Sequence, residues 1–229
     1  MTHDRRFFSG MAAAALVTVV AGFAPTYFLR SVFDGPPLSP TLELHGALFT
    51  AWMVLFLVQA LLVAAKRTDV HRRLGVAGAV LAIAMLVVGP IVAISAARRG
   101  VSVPGGPPPL QFLAIPLGDL VLFASLVGVG ISLRRRSQVH KRLMLMATIG
   151  LLPPAIARLP YVGAAGPLAF FGLTDLFVAA CLVYDRVILG RVHPGFLWGA
   201  IAVVASQPLR LAVSATPYWL RFAEWLTRG

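Results

Sequence analysis

Long uninterrupted apolar runs alternate with short polar turns along almost the whole chain, and each run is about as long as a bilayer crossing, which takes about 20 apolar residues as a helix. Seven such runs are expected, at about 7–29, 40–65, 73–97, 110–133, 139–159, 167–189 and 196–215. Ser39-Pro40 reads as an N-cap followed by proline at the first helical position of the second run. The connector at 100–109, rich in proline and glycine, has no helix-forming tendency. Arg5-Arg6-Phe7-Phe8 loosely resembles a twin-arginine export signal, but the apolar run passes the cleavage-like Ala21–Ala24 and continues to Leu29, as in a retained helix. At the other end, residues 218–228 place Tyr218, Trp219, Phe222, Trp225 and Leu226 on one face and Arg221, Glu224 and Arg228 on the other. That is an amphipathic helix suited to lying on a membrane surface. The expected fold class is therefore all-α: a polytopic helical bundle of seven transmembrane helices in a single domain, plus a C-terminal interfacial helix.

Composition supports the same class. The 229 residues are 59% hydrophobic and only 12% charged, with mean hydropathy +0.85, whereas soluble domains carry about 25% charged residues. The net charge of +12 would point to nucleic acid in a soluble protein. Here the basic residues gather in alternate loops, which orients a membrane protein, so the expected partner is the lipid bilayer and no nucleic acid. Of 20 Lys and Arg, 13 fall at the N-terminus and in the even-numbered loops and 7 on the other side. This places the N-terminus in the cytoplasm of a bacterial inner membrane and the C-terminus outside. The lone Cys181 lies inside an apolar run and forms no intrachain disulfide.

A repeat underlies the spacing. Val70-His71-Arg72-Arg73-Leu74 and Val139-His140-Lys141-Arg142-Leu143 match at an offset of 69, with a fainter copy at Val192-His193-Pro194. Leu117-Gly118-Asp119-Leu120 and Leu173-Thr174-Asp175-Leu176 precede the second and third copies. The chain thus reads as one leading helix and three hairpins, each turning at a basic, histidine-bearing cytoplasmic loop. All three run the same way, without the inversion that favours alternating-access transport.

Each hairpin carries a polar group early in its first helix, namely His45, Asp119 and Asp175, and two return helices end near Arg158 and Arg210, the latter beside Gln207. Ionisable groups cost several kcal/mol in lipid and face protein or water by default. Prolines 25, 90, 116, 153, 154 and 208 all fall in the same outer half, where each frees backbone carbonyls that must find other partners. The expectation is an outward-facing polar pocket for a small ligand, ion or lipid, ringed by His45, Asp119, Arg158, Asp175, Gln207 and Arg210. The competing reading makes Asp119 with Arg158, and Asp175 with Arg210, ion pairs that only lock helices together.

At His71-Arg72-Arg73-Leu74-Gly75, and at His140-Lys141-Arg142-Leu143-Met144 with Arg158 on the same helix, the chain resembles bacterial multi-pass membrane families classed as domains of unknown function. The resemblance implies a helical inner-membrane fold and no established activity, with no catalytic residue to carry over. Two other functions remain open. A b-type haem or quinone redox protein would take His71 and His140 as haem ligands. A metal-dependent intramembrane hydrolase would use His45, Asp119 and Asp175 around a metal.

Overall fold

A computed structural model describes residues 2–101 and 106–228. The described residues are helical, with no strand among them. The helices are α1 (Thr2–Phe23), running on into a π-helical turn (Ala24–Phe28), α2 (Pro40–Ala64), α3 (Thr68–Arg98), the short α4 (Pro109–Phe112), α5 (Ala114–Ser132), α6 (Ser137–Ile149), the short α7 (Pro153–Ile156), α8 (Pro167–Leu189), α9 (Pro194–Ser214) and α10 (Pro217–Thr227). Six stretches are long and apolar enough to cross a membrane: His3–Phe28, Pro40–Ala64, Thr68–Arg98, Pro109–Ser132, Pro167–Leu189 and Pro194–Ser214. That is the build of an integral membrane protein. Part of the 100–109 connector lies outside the described residues.

The fifth expected run, 139–159, is not one continuous helix. It is α6 and α7 separated at Gly150–Leu152. Pro153 and Pro154 have no N–H to give the carbonyls of Ile149 and Gly150, so the ladder closes early, with Leu152 N–H donating to Ile149 O at 3.0 Å. Several polar residues at its start (Gln138, His140, Lys141 and Arg142) also leave α6 less apolar than its neighbours.

The chain divides into two compact units, Met1–Val88 and Gly89–Gly229, with α3 running through the division. In the first unit α1 and α2 form a hairpin. Phe8, Ala12, Ala15 and Val19 recur at helical spacing as the buried stripe of α1, and Trp52 and Met53 are the buried side chains of α2. Ser39 caps α2 as its sequence demands, its hydroxyl accepting from Leu42 N–H.

The second unit is built around α6 and α7. Leu145, Met146, Ala147, Ile149, Leu152 and Ala155 are fully buried, so the later part of α6 and α7 is enclosed by its neighbours, whereas Ser137 and Gln138 at its start are exposed. α5 and α9 flank α6, and α8 packs on α6, α7 and α9. Gly199 permits a close approach of α9 to α6, since a Cβ there would stand 2.6 Å from Met146 Cγ. α10 lies across α4 and α9. Trp219 Nε1–H donates to Leu110 O at 2.8 Å, and Ala223 is buried with Ala97 and Leu113.

Candidate functional site

All four buried charged side chains among the described residues belong to the second unit: Asp119, Arg142, Asp185 and Arg210. They form two ion pairs at opposite ends of its helices.

The first pair joins the start of α5 to the end of α9. Arg210 Nη1 donates to Asp119 Oδ1. Its other nitrogens are also engaged: Nε with Ser206 O at 3.0 Å and Nη2 with Ser206 Oγ at 3.3 Å. The guanidinium stands over the Phe171 ring of α8 at 5.2 Å, a cation–π contact that partly replaces lost hydration. One turn earlier on α9, Gln207 Nε2 donates to Asp175 Oδ1 of α8 at 2.7 Å. Ser206, Gln207 and Arg210 therefore gather the acids of α5 and α8 onto one stretch of α9. Asp119 Oδ2 is buried and has no hydrogen-bond partner among the described residues.

This corrects the pairing expected from sequence. Asp119 pairs with Arg210 and not with Arg158, and Asp175 takes Gln207 in place of Arg210. Arg158 is exposed and donates to Pro154 O at 2.7 Å. The cause is packing order. α9, and not the returning α6–α7 segment, presents polar side chains to both acids. His45 lies in the first unit, where its ring stacks on Phe49 with centroids 4.2 Å apart.

The second pair was not anticipated. Arg142, in α6, donates from Nε to Asp185 Oδ2 at 2.9 Å and from Nη2 to Asp185 Oδ1 at 2.5 Å. Their side chains are 1% and 0% exposed. Arg142 Nη1 donates to Gln138 Oε1 at 2.8 Å, and the guanidinium stands 5.1 Å from the Phe196 ring centroid. Asp185 Oδ2 also accepts from His193 N–H at 3.0 Å, while His193 Nδ1 accepts from Gly195 N–H and so caps α9. Burial, then the Arg142 charge, hold His193 below the ordinary imidazole range, with Asp185 opposing and Lys141 and Arg191 adding to the depression. In sequence Arg142 reads as one more loop charge, and Asp185, at the end of an apolar run, has no visible partner. The available signal is an acid and a base each about one turn inside a helix end that adjoins a basic turn.

The histidines divide by tautomer. His140 Nδ1 lies 2.8 Å from Gly130 O, which fixes Nδ1 as the protonated nitrogen, the arrangement usual for a histidine that ligates through Nε2. With the Gln59 amide turned so that its nitrogen faces His71, it donates to His71 Nδ1 at 2.6 Å and accepts from Gly75 N–H at 3.0 Å. That leaves the proton of neutral His71 on Nε2, the wrong tautomer for ligation there. The bis-histidine haem reading gains nothing from this geometry. No group of three or more His, Cys, Asp or Glu among the described residues is placed to hold a metal ion, so the set His45, Asp119 and Asp175 has no support as a metal centre. Comparison with protein-family models, with curated proteins and with solved structures brought up no match.

Proposed function

We propose that the chain is a seven-passage protein of the bacterial inner membrane, N-terminus in the cytoplasm and C-terminus outside, that binds a small ligand or ion in the outer half of its second unit. The asymmetry of 13 against 7 basic residues supports the orientation. Residues 137–156 would supply the extra passage: at about 1.5 Å per residue they reach about 30 Å, the thickness of the hydrocarbon core. Enclosure by α5, α8 and α9 removes the need for a lipid-facing surface on that passage. The exposed Tyr218 and Trp225 of α10 suit an outer interfacial helix.

The site is Asp119, Asp175, Gln207 and Arg210, four of the six residues picked out by sequence. A single observation carries the reading: Asp119 Oδ2 is a buried acceptor without a donor among the described residues. A buried, unsatisfied carboxylate oxygen costs about 1–3 kcal/mol or more, so something with a proton or positive charge belongs beside it. The ligand is therefore a small cation or a molecule that presents an N–H or O–H. The hydrolase reading has less behind it, because Asp119 is committed to Arg210 and no group of three or more His, Cys, Asp or Glu among the described residues is placed to hold a metal ion.

The test is thermal unfolding of the protein in lipid nanodiscs with sodium, potassium, ammonium or methylammonium chloride, at constant ionic strength. A ligand at about 100 times its Kd stabilises by about 2.7 kcal/mol, so at least one probe should raise the wild-type midpoint and leave Asp119→Asn unchanged. A flat wild-type response to all four, or an equal rise in the variant, defeats the proposal.

A further inference from the structure

We propose that the first unit carries a phospholipid site, selective for a headgroup that combines a phosphate with a primary ammonium. It rests only on the chain being a membrane protein and is independent of the Asp119 site. An open bowl of about 470 Å³ is lined by Tyr27, Arg30, Leu38, Glu43, Leu44 and Ala47, within the range of about 300–1,000 Å³ usual for small-ligand pockets. It sits where α1 ends and α2 begins, at the boundary of two apolar spans, which is headgroup level.

Its two charges are opposite in sign, face the same space and form no ion pair with each other among the described residues. Packing explains the separation. The chain turns tightly after the π-helical turn, with Gly35 N–H donating to Arg30 O at 2.9 Å and Asp34 at φ 52°. Gly35 lies so close to the Arg30 stem that a Cβ there would stand 2.6 Å from Arg30 Cγ. The guanidinium is thereby drawn toward the loop, where Nη1 meets Pro36 O at 3.5 Å. Beside Glu43, the Tyr27 ring occupies the space that a side chain at Gly46 would need, and its hydroxyl donates to Glu43 O at 3.2 Å. This contact sets the spacing between the π-helical turn and α2.

A cation and an anion that line one cavity without pairing with each other are complementary to a zwitterion. Arg30 suits the phosphate, with which a guanidinium makes directional hydrogen bonds. Glu43 suits an ammonium, which brings three donors, and repels a purely anionic headgroup. Leu38, Leu44 and Ala47 offer apolar wall to the glycerol and first acyl carbons. Leu29, Val32 and Phe33 are exposed on the adjoining turn, as expected of a segment that dips into lipid. Tyr27 is an amphipathic ring at the depth where such rings concentrate.

The experiment is native mass spectrometry of the full chain released from nanodiscs containing equal parts phosphatidylethanolamine, phosphatidylcholine and phosphatidylglycerol. Wild type should retain the ethanolamine lipid over the glycerol lipid by about fivefold, the ratio that corresponds to one favourable exposed charge contact. Glu43→Gln should bring that ratio close to unity, and Arg30→Gln should lower retention of all three lipids by about threefold. Ala47→Trp fills the bowl without removing a charge, so it should abolish retention even where a charge variant fails to fold. Asp119→Asn should retain lipid as wild type does, which keeps this site separate from the one in the second unit. Equal retention of the three lipids by wild type, or unchanged selectivity in Glu43→Gln, overturns the proposal. Displacement of bound lipid by low-millimolar glycerophosphoethanolamine would also overturn it, by making the free headgroup the occupant.

Discussion

Asp185→Leu should be among the most damaging single substitutions in the second unit, and its partner Arg142→Met should partly rescue it. Asp185 accepts from two nitrogens of Arg142 and from His193 N–H, with its side chain 0% exposed. Replacing it with leucine of similar size leaves a guanidinium buried without its counter-ion, a loss of about 3–5 kcal/mol in comparable sites. The abandoned His193 N–H adds about 1–3 kcal/mol. Arg142→Met alone should cost about 3 kcal/mol, the lower end of the range, because an unpaired carboxylate escapes by taking up a proton, whereas a guanidinium cannot lose one. The double variant has neither charge and keeps only the His193 defect, so its cost should fall to about 1–3 kcal/mol. Chemical unfolding of the purified protein in mixed micelles at neutral pH measures all three. If the single losses add to within about 0.5 kcal/mol of the double variant, the pair is not coupled and the reasoning fails.

Two further outcomes follow from the same geometry. Asp119→Asn and Arg210→Gln should be coupled by about 1 kcal/mol or more in a thermal-stability cycle, whereas Asp119→Asn with Arg158→Gln should be additive to within about 0.5 kcal/mol; coupling to Arg158 instead would restore the pairing expected from sequence. His193, held below the ordinary value of 6.5 in the fold, binds a proton more readily when unfolded, so stability should be full above that value and decline as pH falls beneath it. Protonation also removes the Nδ1 acceptor that caps α9. His193→Asn keeps a capping acceptor but does not titrate, so it should remove that part of the pH dependence of the unfolding midpoint; an unchanged profile would count against the assignment.

The membrane-scale pattern was legible because it depends on local composition: six of the seven expected runs correspond to helices, and the run at 167–189 matches α8 at both ends. The Ser39 cap was readable for the same reason. Asp119, Asp175, Gln207 and Arg210 also stood out, since a polar residue early or late in an apolar run is conspicuous without any knowledge of its neighbours. Their partners were not readable. A base on the next helix in sequence looks like the natural counter-ion, but α5 takes its counter-ion from α9, and only packing reveals that. Arg142 was misjudged for a related reason: the basic cluster around 134–142 looks uniformly like loop, although its last member is turned inward and matched by Asp185.

The enclosure of α6 bears on how the protein is made. A segment that opens with Ser137, Gln138, His140, Lys141 and Arg142 and stops at Pro153-Pro154 has little tendency to partition into lipid unaided. Its cation is neutralised by an acid synthesised more than forty residues later. In the seven-passage arrangement proposed above, integration of α6 awaits emergence of α8 and the start of α9, and the second unit enters the bilayer as a cooperative group and not one helix at a time.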